Sequence, residues 1–228
     1  GGEELMKEVY DKHNVLAFPG GNTGVQMGGW FKEEINSVED LNGLKMRVPG
    51  FAGEILAKLG VQVTNLPPGE LYTALERNTI DAVEWVGPSM DIKMGFHKVA
   101  PYYYTGWHEP GAETQFYINQ RVFKKLPDDL KAILTTAIRV TSYDLYIRNY
   151  HLSAMALEDM FAQYPDIKVK TFPKEVIDEM KKVNHQLRKE MSSENPLLKK
   201  ILESQKSYQN RVREWTRMSD YLYLKDNL

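Results

Sequence analysis

Cysteine is absent from the 228 residues, which excludes disulfides and thiolate metal sites. Such an absence suits an oxidising compartment, although many cytosolic proteins share it. Charge of one sign is lacking too. With 29 Lys and Arg against 31 Asp and Glu, the formal charge is −2, so nothing global draws the chain to nucleic acid or to an anionic membrane. Any anion must be caught by a local site, and no nucleic-acid partner is expected. No apolar run approaches the roughly 20 residues that a membrane span requires. The opening Gly1-Gly2-Glu3-Glu4-Leu5 is not a signal peptide, so export is expected to depend on a segment already removed. Several catalytic signatures are missing as well. Gly20-Gly21-Asn22-Thr23-Gly24 lacks the register and the Gly-Lys of a nucleotide loop. No G-x-S-x-G elbow occurs, and His97 and His108 do not have the spacing of a metal pair.

What is present reads as an α/β chain. Residues 3–13 end a helix, Val15-Leu16-Ala17-Phe18 form a short buried strand, and 20–24 a loop. Ser37 is a good N-cap for a short turn through Leu41. Leu44, Met46 and Val48 alternate with Lys45 and Arg47 before Pro49-Gly50, the pattern of a strand and its stop. A helix over 52–59, a strand over 61–65, a helix over 70–78 and a strand over 80–86 follow. That order implies parallel strands joined by crossover helices. Residues 99–107 and 113–119 are two aromatic-rich strand candidates. Pro127 suits the first position of a helix with no breaker before Pro165; over 128–164 it would run roughly 55 Å, long enough to tie two lobes together. Residues 167–172 form a short strand, and Pro173 and Pro196 each start a helix. From Leu198 through Ile201, Leu202, Tyr208, Val212, Trp215, Met218 and Leu222, a long amphipathic stripe recurs every three or four residues. It either packs on its own protein or is exchanged in a dimer.

Four residues stand out chemically. Arg47 lies at the C-terminal end of a strand, the edge where open α/β sheets bind ligands. Its guanidinium matches a carboxylate with two parallel hydrogen bonds; the plainer reading is a surface arginine on a polar strand face. Glu84 sits within the apolar Ile80–Val86 run, where an ionised carboxylate is costly unless something positive faces it. It could equally be a strand-end glutamate facing solvent. Glu109, in Trp107-His108-Glu109-Pro110, is a second carboxylate among aromatics, and Gln26 adds an amide flanked by glycines. Together they form a set of hard oxygen ligands suited to calcium or sodium rather than zinc. Glu84 and Glu109 could otherwise serve as acid and base of a glycosidase, a reading that leaves Arg47 unexplained.

The sequence resembles the substrate-binding component of tripartite ATP-independent periplasmic (TRAP) transporters, of the DctP type. The resemblance rests on Asp40-Leu41-Asn42-Gly43-Leu44-Lys45-Met46-Arg47-Val48-Pro49-Gly50, Leu71-Tyr72-Thr73-Ala74-Leu75, Ile80-Asp81-Ala82-Val83-Glu84-Trp85 and the Leu-Pro-Asp-Asp-Leu of 126–130. Residues 20–30 and Trp107-His108-Glu109-Pro110-Gly111 are similar to the branch that binds 2-oxo acids such as pyruvate, whose near relatives bind lactate. The resemblance implies a transport protein rather than an enzyme, with a two-lobed periplasmic binding fold of the type II kind closing on its ligand. Residues 1–43 would be a remnant of lobe 1 and 44–113 lobe 2. Residues 114–160 would supply a return strand to lobe 1 and the spanning helix, 161–195 lobe 2 again, and 196–228 a C-terminal helix exchanged in a homodimer. Family members carry a further segment before the point where this chain begins. By the same resemblance Arg47 holds the ligand carboxylate. Gln26, Glu84, Trp85 (by its carbonyl) and Glu109 surround a calcium or sodium ion, and Gln26, Glu84 and Trp85 also lie against the acid. TRAP membrane permease subunits are the implied partners.

Overall fold

The computed structural model describes residues 1–228. Its strands are β1 (Val15–Asn22), β2 (Gly29–Phe31), β3 (Lys45–Arg47), β4 (Gln62–Thr64), β5 (Ala82–Val83), β6 (Tyr102–Tyr104), β7 (Glu113–Asn119) and β8 (Lys168–Lys170). The helices are α1 (Gly2–Tyr10), α2 (Gly50–Lys58), α3 (Leu71–Glu76), α4 (Pro88–Met94), α5 (Gln120–Lys125), α6 (Asp128–Gln163), α7 (Lys174–Glu194), α8 (Pro196–Thr216) and α9 (Leu222–Asn227), with a π turn at Arg217–Tyr221 between the last two. None is long and apolar enough to cross a membrane. The chain divides into two compact units, one of Phe18–Phe116 with Leu126–His185, the other of Gly1–Ala17, Tyr117–Lys125 and Gln186–Leu228.

The larger unit is built on a six-stranded sheet in the order β4-β3-β5-β2-β6-β8. β3 pairs in parallel with β4 and β5, as the strand–helix–strand alternation predicts. β2 enters antiparallel between β5 and β6, so residues 29–31 occupy the middle of the sheet. Gly29, Trp30 and Phe31 are all buried, so no alternation of apolar and polar residues marks this strand in the sequence. The core forms where α3 (Leu71, Ala74, Leu75) packs with Ile80, Val83, Trp30, Tyr103 and Met160. Each such side chain contributes about 1.5–3 kcal/mol by leaving water.

Two strand boundaries move for physical reasons. β1 continues through Gly20 and Gly21, where a loop is expected; at Gly21 any side chain would collide with Leu145 of α6. β5 stops at Val83, short of the expected 86, where the Glu84 carbonyl accepts from the Arg47 guanidinium rather than from a neighbouring strand. The long helix is observed, with Pro127 as N-cap rather than in the first turn. In the smaller unit Asn195 caps α8 by accepting from the Leu198 N–H at 3.0 Å. α8 packs on α1, and Leu198, Ile201 and Leu202 are half-buried. Further along the stripe, Tyr208 is 70% and Trp215 66% exposed.

Candidate functional site

The larger unit brings Gln26, Arg47, Glu84 and Glu109 together around the end of β3. Arg47 follows Met46 in β3 and is only 7% exposed, so the surface reading of this residue is excluded. Beside it, the Glu84 N–H donates to the Arg47 carbonyl at 2.9 Å. Arg47 Nη1 in turn donates to the Glu84 carbonyl at 2.6 Å and stands 3.8 Å from Glu84 Oε2. Its Cζ lies 5.2 Å from the centroid of the Trp85 ring, which covers one face of the guanidinium. Arg47 Nε is buried and has no hydrogen-bond partner. A buried charged donor left unpaired is costly unless a ligand completes it.

Glu84 is 2% exposed. Burial pushes its carboxyl up to about 8, outweighing the pull of Arg47, with Glu109 and Asp91 pushing the same way. Burial also raises Glu109. His108 Nε2 is 3.9 Å from Glu84 Oε1, but burial depresses this imidazole to about 4, so it stays neutral and supplies no balancing charge. The positive partner that the sequence demands for Glu84 is therefore Arg47 alone, and at 3.8 Å it is a loose one.

Gln26 sits between the two carboxylates. The inward atom of its side-chain amide is 3.1 Å from Glu84 Oε1 and 3.2 Å from Glu109 Oε2, and the outward atom is 3.1 Å from Thr23 Oγ1. Gln26 N–H donates to the Glu109 carbonyl at 3.1 Å, which joins the two loops. The chain at Gly106 runs so close to the Gln26 carbonyl that no side chain fits there. Oxygen atoms sharing a hard cation at 2.3–2.6 Å lie roughly 2.8–3.4 Å from one another. With its oxygen inward, Gln26 thus completes a three-oxygen face in which its spacing from each carboxylate suits ligands of calcium or sodium. No three His, Cys, Asp or Glu side chains cluster as a metal group, so the amide is indispensable to such a face.

Two contributors were not visible in the sequence. Asp91, in the first turn of α4, is fully buried and accepts from Trp30 Nε1 (3.1 Å), Tyr103 Oη (2.9 Å), Val86 N (3.1 Å) and Gly87 N (2.8 Å). It fixes the turn that follows Glu84 and Trp85. Burial raises it to about 6 against these four donors. Thr23, read as part of a failed nucleotide loop and of the segment 20–30 that carries the family resemblance but given no role of its own, holds the Gln26 amide. An Asp in the first turn after Gly-Pro was the one available signal for Asp91; for Thr23 there was none.

A pH effect follows from Glu84. The folded protein holds a proton that the unfolded chain has released above its ordinary 4.5, so this stability is full below 4.5 and is lost as pH rises toward about 8. Asp91 acts with the same sign only up to about 6. His108 has the opposite sign, its contribution being present above 6.5 and lost as pH falls toward about 4. Between pH 6.5 and 8.5 Glu84 dominates. In chelator the chain should lose about 1–2 kcal/mol over that interval, read by thermal melting, while Glu84→Gln should be nearly flat. A wild-type melting temperature insensitive to pH there would refute the assignment.

Residues 1–195 match DctP, bacterial extracellular solute-binding protein family 7. A curated relative, the monocarboxylate 2-oxoacid-binding periplasmic protein of Nostoc sp. (strain PCC 7120), is 38% identical over 98% of this chain. The chain spans 61% of that relative's length. A TRAP periplasmic solute-binding protein from Colwellia psychrerythraea, solved with bound calcium and pyruvate, is 57% identical with a TM-score of 0.98, covering 99% of this chain and 69% of that one. Another from Pseudoalteromonas atlantica T6c, with bound sodium and pyruvate, is 56% identical with a TM-score of 0.95, covering 99% and 68%. The two-lobed α/β binding fold expected from the sequence is the fold these matches share.

Proposed function

The chain belongs to the DctP family, a family of solute-binding proteins and not of enzymes, and from that premise we propose that it captures a small monocarboxylate with a metal cation for a TRAP transporter. The acid is a 2-oxo acid such as pyruvate, or the related lactate, and the cation is calcium or sodium. Capture takes place outside the cytoplasmic membrane, and the acid passes to the TRAP permease subunits. The observation that carries this reading is the unpaired Arg47 Nε buried beside the three-oxygen face of Gln26, Glu84 and Glu109. Arg47 binds the carboxylate of the acid. Gln26, Glu84 and Glu109, with the Trp85 carbonyl, hold the cation, which supplies the positive charge that Arg47 alone lacks. The relatives from Colwellia and Pseudoalteromonas, solved with pyruvate and one or other cation, support the choice of ligands.

The glycosidase reading loses its basis. Gln26 stands between the two carboxylates and reaches both, where a glycosidic oxygen or attacking water would have to sit. Titration calorimetry with pyruvate, in calcium or sodium, should show binding, and a chromogenic glycoside panel should show no turnover. Absence of acid binding in both cations would sink the proposal. The exposed half of the α8–α9 stripe further supports a homodimer built on that helix, and sedimentation as a monomer at working concentration would count against it.

A further inference from the structure

The Gln26 amide has two orientations available, and they differ in what they ask of Thr23. With the oxygen inward, Nε2 donates outward to Thr23 Oγ1 at 3.1 Å. The hydroxyl also accepts from the Ala112 N–H at 2.9 Å and donates to the Gly24 carbonyl at 3.1 Å. One donor and two acceptor positions are then all used. With the nitrogen inward, the amide donates to Glu84 Oε1 and Glu109 Oε2, while its oxygen accepts from Thr23 Oγ1. The hydroxyl proton then leaves Gly24 for Gln26, and the Ala112 bond is kept. Oxygen inward sets the amide oxygen against Glu109 with no donor between them and, once Glu84 is ionised, against two carboxylates, and then needs a cation among the three oxygens. Nitrogen inward gives both carboxylates a donor and is the arrangement for a cation-free site.

From this we infer that Thr23 is a positioning residue whose hydroxyl turns with the Gln26 amide, letting the amide nitrogen stand in for the cation until the cation binds. The inference rests on the acid-and-cation reading of the site. Thr23 itself is fixed in either state. Its N–H donates to the Ala112 carbonyl at 3.1 Å, and its carbonyl accepts from Asn149 Nδ2 of α6. The hydroxyl rotor is therefore the moving part, and α6 anchors its base. Removing the hydroxyl costs the oxygen-inward state three hydrogen bonds and the nitrogen-inward state two. It also leaves an amide N–H unpaired in the cation-bound form, and an orphaned buried N–H is the less tolerated kind.

The test is calcium titration of the full chain by calorimetry in wild type, Thr23→Val and Thr23→Ser, with the Gln26 side-chain amide followed by nitrogen-edited NMR. Thr23→Val should weaken calcium at least about fivefold, whereas Thr23→Ser, which keeps the hydroxyl, should stay within about twofold. The Gln26 amide resonances of the wild type should move on calcium addition. A merely structural Thr23 would lower the melting temperature of Thr23→Val through the lost Ala112 bond yet leave calcium affinity unchanged. That outcome, or Gln26 resonances that ignore calcium in a wild type that binds it, overturns the inference and leaves the proposed function standing. A wild type that takes up neither calcium nor sodium overturns both.

Discussion

Arg47→Ala should lower the affinity for pyruvate by at least about 30-fold, because truncating one partner of a buried charge-assisted pair costs roughly 2–5 kcal/mol. The loss is large here for a structural reason. Arg47 is 7% exposed, its Nη1 is committed to the Glu84 carbonyl at 2.6 Å, and Nε has no partner inside the protein. An acid that pairs with Nε and its neighbour removes a penalty the protein otherwise carries. Calcium affinity should change far less, since two effects oppose each other. Losing the guanidinium removes repulsion toward a cation, but it also removes the group that pulls the Glu84 carboxyl down. Because the Ala variant leaves Glu84 buried without a cation, Arg47→Lys is the companion. It keeps the charge and gives up the planar fork, and it should fall between wild type and Ala. Unchanged pyruvate binding in a folded Arg47→Ala chain, measured by calorimetry, would refute the assignment.

The sequence made parts of this site legible and hid others, and the division follows range. Arg47 and Glu84 are readable because each breaks a local rule: a charge at the end of an alternating strand, and a carboxylate in an apolar run. Their pairing is readable only from β3 lying parallel to β5, with Arg47 opposite Val83, and the crossover pattern predicts that neighbourhood without its register. Gln26 and Glu109 come together through loop contacts, namely the Gln26 N–H to Glu109 carbonyl bond and the close approach at Gly106. No local periodicity encodes such contacts; the resemblance to a family supplied them. Asp91 was hidden because its partners, Trp30 and Tyr103, lie on β2 and β6, and the former is in a strand that no apolar–polar alternation marks. The orientation of the Gln26 amide lies deeper still, since it depends on which charge occupies the site.

Glu84→Gln should reveal whether acid and cation share one site. With Glu84 ionised as a cation ligand, a bound monocarboxylate, Glu84 and Glu109 carry three negative charges against the one positive charge of Arg47. The site is thus short of two positive charges, which calcium supplies in full and sodium in half. At an effective dielectric near 20, a unit charge 4 Å away is worth roughly 4 kcal/mol before desolvation, so wild-type affinity for pyruvate should fall at least about 30-fold when calcium is removed by chelation. Glutamine keeps the shape of Glu84 and removes its charge, imitating the protonated form that burial favours below about pH 8. Calcium affinity of Glu84→Gln should therefore drop by roughly 100-fold, the equivalent of about 3 kcal/mol. In chelator at pH 7, by contrast, the variant should bind pyruvate about as well as wild type, because both then present a neutral group at position 84. Reciprocity follows: whatever factor calcium adds to pyruvate affinity, pyruvate must add to calcium affinity, and in the variant both factors should shrink together. Calorimetry over the four combinations of variant and chelator measures this coupling directly. Pyruvate affinity that is equal with and without cation in the wild type would separate the two ligands and refute a shared site.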